Sequence, residues 1–85
     1  MMNMATKEEL RRLTLGWLND RAALAFNAPS INRGVCRELP HTIPETEETL
    51  AFLHSAGFVA ETPNPLGGTK FWKITAAGTI AHERG

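Results

Sequence analysis

Eighty-five residues suffice for one domain with a modest core, and nine Lys and Arg against nine Asp and Glu leave no net field to draw in nucleic acid or an anionic membrane. A single cysteine, Cys36, excludes an internal disulfide and a cysteine-based metal cluster. No apolar run reaches the roughly 20 residues of a membrane span, and the start MMNMATKEELRR lacks a signal-peptide core, so a cytoplasmic protein is expected.

The charge is unevenly spread. From Glu38 to Glu61 there are five acids and no Lys or Arg, while the flanks are mildly basic. Thr6 is expected to cap a first helix, with Glu9 reaching back in a capping box. Leu10, Leu13, Thr14, Trp17, Arg21 and Leu24 fall on one side at helical spacing, with Leu18 at its edge. Gly16 marks either a close helix contact or nothing in particular. Residues 24–26 read equally as a short edge strand or as an extension of that helix. Asn27, Ala28 and Pro29 break the pattern, and Ser30 is the expected cap of a short second helix. Ile31, Val35, Cys36 and Leu39 would face inward there, and Arg33 and Arg37 outward.

Pro40 ends that helix, because the residue before a proline is biased out of the helical region. Thr42 opens the third, with Glu45 in the reciprocal capping position. Setting Leu50 inward aligns Ile43, Thr46, Leu53 and Gly57 with it, and turns Glu45, Glu48 and Phe52 outward. Gly57 ends the helix. Residues 58–62 and 69–74 read as two strands, and Pro63, Asn64, Pro65, Leu66, Gly67 and Gly68 as the loop of a hairpin. Alternation sets Trp72 and Ile74 on one face and Phe71 and Lys73 on the other. Thr75 then caps a last short helix in which Gly78 permits a close approach.

The sum is an α+β fold, a small winged helix-turn-helix domain of three helices, a two-stranded β-hairpin wing and a short C-terminal helix. It fills residues 1–85 as one domain, with loose ends expected at 1–5 and 82–85.

The stretch LAFLHSAGFV, then a turn loop, then KFWKITAAG resembles the recognition-helix end, wing and Thr-capped closure of winged helix-turn-helix transcription factors. More narrowly, residues 10–85 are similar in length and order to small winged-helix-like proteins of Mu-like prophages. Leu50, Leu53, Gly57, Val59, Trp72, Thr75 and Gly78 carry the match. The resemblance implies a prophage-encoded, non-enzymatic DNA-binding protein, regulatory in role. Thr46 and Thr49 would then approach bases, and Arg33, Arg37, Lys70 and Lys73 would contact phosphates of double-stranded DNA.

Three glutamates in the reading helix, Glu45, Glu47 and Glu48, work against phosphate contact, although a carboxylate can accept from cytosine N4. The alternative is a protein-binding or homodimeric module on the same fold. It would use Glu45, Glu48, Phe52, Leu66 and Phe71 against a second copy or a phage protein. His41, His54 and His82 lack the spacing of a metal or general-base site, and Gly67 and Gly68 lack the lysine and helix of a phosphate loop. No enzyme, cofactor, metal or small-molecule substrate is therefore expected.

Overall fold

The computed structural model describes residues 3–63 and 67–85. Helix α1 (Met4–Asn19) leads to a two-residue strand β1 (Phe26–Asn27), then α2 (Ala28–Val35) and α3 (Ile43–Ser55). Strands β2 (Val59–Thr62) and β3 (Phe71–Ile74) and helix α4 (Ala76–Arg84) complete the chain. The three strands form one antiparallel sheet in the order β1-β3-β2. This is the expected winged helix-turn-helix architecture, with β1 adding a third strand to the wing.

The helix starts differ from expectation at two places. Asn3, not Thr6, caps α1 by accepting from Thr6 N at 2.8 Å, and Glu9 turns to Arg12 instead of back to a cap. Asn27, not Ser30, caps α2, accepting from Ser30 N at 2.9 Å. Pro29 thus falls in the first turn, where its missing N–H costs nothing. Helix α4 runs on through residues 82–84, and α1 already includes residues 4 and 5.

Leu10, Leu15, Leu18, Ile31, Val35, Leu50, Leu53, Val59, Trp72 and Ile74 form the core. The inner stripe of α1 is rotated from the expected one. Leu15 is buried, whereas Arg21 and Leu24 lie beyond the end of α1 in solvent. Ile43 is likewise exposed, and Thr49 takes a core position beside Thr46. Gly16 faces His82 of α4, which resolves its close contact.

Two junctions set the wing against the helices. After the capping residue Ala56, Gly57 adopts φ 83°, and the N–H groups of Gly57 and Phe58 donate to His54 O and Leu53 O, closing a Schellman turn. The Thr75 hydroxyl then donates to Gly57 O at 2.7 Å and accepts from Gly78 N at 3.0 Å, while Thr75 N donates to Phe58 O. Gly78 is buried against the Phe58 carbonyl, with no space for a Cβ.

Candidate nucleic-acid interface

Helix α3 is anchored at its start and along one face. The capping box is present: Thr42 N donates to Glu45 Oε1 at 2.8 Å, and Glu45 N donates to Thr42 Oγ1 at 3.3 Å. The Thr42 backbone N–H, and after it the Thr42 hydroxyl, hold the Glu45 carboxyl below the usual carboxylate range.

Thr46 and Thr49 do not reach outward, contrary to the expectation that they approach bases. Thr46 is fully buried and Thr49 nearly so. Their hydroxyls donate back to Thr42 O and Glu45 O, one turn earlier, which leaves them free to line the core without an unsatisfied donor. Thr46 Oγ1 also accepts from Asn32 Nδ2 at 3.1 Å, and the same amide donates to His41 O at 3.0 Å. Asn32 therefore fixes how α2 crosses α3, a role that neither its spacing nor its type announced.

Burial of Thr46, Thr49, Leu50 and Leu53 leaves Pro44, Glu47, Ala51 and Ser55 along the outer face, with Ile43, Glu48, Phe52 and His54 exposed at its flanks. Glu45, Glu48 and Phe52 lie toward α1 rather than forming the free outer face. Lys7 Nζ stands 3.4 Å from Glu48 Oε1, and the Arg11 guanidinium lies 3.5 Å from the Phe52 ring centroid. The opposite flank carries Glu47 and, two turns on, His54, whose ring meets Trp72 of β3 edge-on at 5.7 Å. Glu47 thus occupies the side of α3 nearer the wing. Among the described residues it has no ion-pair or hydrogen-bond partner.

Arg33, Arg37, Lys70 and Lys73 are exposed, and none makes an ion pair among the described residues. Arg33 lies in the last turn of α2, and Arg37 in the turn that follows its cap residue Cys36. The register Asn27↔Phe71 brings the neighbouring Lys70 to the start of α2, and Lys73 pairs with Ala60 further along the wing. Arg37 also borders a groove of about 460 Å³ between α1, α2 and α4, together with Arg12, Trp17 and Arg21. There Arg21 stacks 4.1 Å from the Trp17 ring and donates to Trp17 O. Asp20 and Glu38 line the same groove, so it has no strong field of one sign.

Of the candidates for a protein interface, Phe52 is 45% exposed, Phe71 is half-buried, and Leu66 lies outside the described residues. Cys36 is half-buried, its Sγ donating to His41 O at 3.2 Å. No group of three His, Cys, Asp or Glu among the described residues is arranged to hold a metal ion, and no described helix is long and apolar enough to cross a membrane.

No protein-family model matches the chain, and no curated protein matches it by sequence. Solved structures do match. The protein F-93 of SSV1 superposes with a TM-score of 0.71 at 21% identity, covering 88% of this chain and 79% of that one. A mutant of MepR, from a multidrug resistant S. aureus clinical isolate, superposes with a TM-score of 0.74 at 17% identity. That match covers 89% of this chain but 53% of MepR, so the chain spans about half of MepR's length. At these identities the likeness is one of fold, and it agrees with the winged helix-turn-helix architecture built above.

Proposed function

We propose that the chain is a non-enzymatic, cytoplasmic DNA-binding regulator of the kind carried by Mu-like prophages, held on duplex DNA chiefly through phosphates. The observation that carries the reading is a count of uncommitted charges around α3. Arg33, Arg37, Lys70 and Lys73 are exposed without ion-pair partners among the described residues, whereas Glu45 is engaged by its own helix cap and Glu48 by Lys7. Of the three carboxylates of α3, Glu47 alone lacks a partner among the described residues, while Glu38 and Glu61, also exposed, stand outside that helix. Lys7 offsets the charge of Glu48, which eases the objection that three glutamates raise to the phosphate contacts that supply most non-specific affinity.

A low-salt titration against random duplex DNA, followed by gel retardation or anisotropy, tests the proposal. Binding should fall steeply with salt. R33A/R37A and K70A/K73A should each weaken it across all sequences and lower the slope of log K against log salt by about 1 per lost contact. No retardation of any duplex at low salt would refute it.

A second reading, a protein-contact module or homodimer, draws on the exposure of Ile43 (42%) and Phe52 (45%) at the edges of α3. It requires a concentration-dependent mass in sedimentation, or capture of a phage protein that F52A abolishes.

A further inference from the structure

We propose that Glu47 is the base-reading residue of α3, accepting a hydrogen bond from a cytosine N4 amino group in the major groove. The inference rests on the DNA-binding reading above and adds to it a specificity and the residue that confers it.

The first support is elimination by geometry. The two threonines of α3 that could have reached bases are buried in the core. Glu45 is tied to the Thr42 backbone, and Glu48 lies against Lys7. Glu47 is the exposed polar side chain left in the first two turns of α3 without a partner among the described residues.

The second support is shape. The residues one turn to either side of Glu47, Pro44 and Ala51, are short, as is Ser55 beyond them, while Ile43, Glu48, Phe52 and His54 are the longer exposed side chains of α3. With short residues directly above and below it on its line, Glu47 stands clear along that line, and a glutamate of ordinary length can reach a base edge.

The third is position. Glu47 lies on the flank nearer the wing, on the same side as His54, which packs against Trp72. Arg33 lies on the helix that Asn32 ties to α3, while Lys73 follows Trp72 in β3 with its side chain on the other face of the sheet. A phosphate backbone held by Arg33 beside α3 would bring a groove edge to the outer face on which Glu47 stands.

The chemistry selects the base. An ionised carboxylate only accepts, and the major-groove donors are cytosine N4 and adenine N6. Adenine places its N7 lone pair next to that donor, which repels a second acceptor. Cytosine places a C–H there, so cytosine is favoured.

The test is selection of bound sequences from a random duplex library at low salt, with wild type, E47A, E47Q and E48Q. Wild type should enrich a C·G pair at one fixed position, with replacement of that pair weakening binding about ten-fold. E47A should lose this preference while still retarding DNA. E47Q should move the preference toward adenine, which Gln can contact at N6 and N7. E48Q should keep the cytosine. If wild type binds but enriches no base, or if E47A and E47Q select the same base as wild type, the assignment fails while DNA binding stands. Loss of the preference in E48Q alone would transfer the role to Glu48 and overturn it as well. Failure of wild type to bind any duplex would overturn both readings.

Discussion

Replacing Gly78 by Ala sets two effects of opposite sign against each other. Gly78 sits in the first turn of α4, so helix propensity alone favours Ala by about 1 kcal/mol. The structure leaves no space for the added methyl. A Cβ at Gly78 would fall inside van der Waals contact with Phe58 O and stand 2.7 Å from Ile74 Cγ1 and 3.0 Å from Phe58 C. Two of these three neighbours are backbone atoms, and Phe58 O is itself held by Thr75 N at 3.0 Å. The strain must therefore be relieved by moving α4 off the turn rather than by a rotamer change. Overpacking of this kind costs about 3 kcal/mol, the upper end of its usual range, and the net loss is about 2 kcal/mol. For a domain of this size that corresponds to a fall in Tm of about 10 °C. Thermal and urea unfolding followed by far-UV circular dichroism measure it, with A77G as a control that feels propensity but no clash. A G78A variant as stable as wild type, or more stable, would refute the packing argument.

Three further outcomes follow from the hydrogen bonding. N27A should cost about 1 kcal/mol in urea unfolding and N27S much less, while S30A should stay within a few tenths, because the cap acceptor of α2 is Asn27. N32A should cost about 1–2 kcal/mol, since it removes both donors that bridge α2 to His41 O and to the buried Thr46 hydroxyl. The Glu45 carboxyl is depressed in the folded state, so its contribution to stability is present above the ordinary glutamate range and is lost as pH falls through the folded value. Urea midpoints taken from about pH 5 down to about pH 3 should therefore drop more steeply for wild type than for E45Q.

The parts of the fold legible in the sequence are those fixed by local chemistry. Thr42 with Glu45, Gly57 at a helix end, alternation around Trp72 and Ile74, and Thr75 ahead of Gly78 each act over a few residues, and each appears as expected. Caps are less legible where two residues compete. Thr6 and Ser30 are good cap types, yet Asn3 and Asn27 stand three residues earlier in each case and take the role. The outer face of α3 is hardest to read because threonine serves on either side. Periodicity anchored on Leu50 brings Thr46 inward, in conflict with the base contact that the family resemblance implies for it, and only burial shows Thr49 in the core as well. Partners distant in sequence, such as Lys7 for Glu48 and Arg11 for Phe52, depend on how α1 crosses α3 and leave no trace in local spacing.

Thr75 carries one more consequence. Its hydroxyl and N–H join the end of the wing, the turn after α3 and the start of α4 in a single knot. The last helix is thereby keyed to the end of α3 rather than hung from a swivel. Anything attached rigidly to α4, whether a fused domain or a reporter, should inherit a fixed heading relative to α3, and a T75V substitution should free that heading before it unfolds the domain.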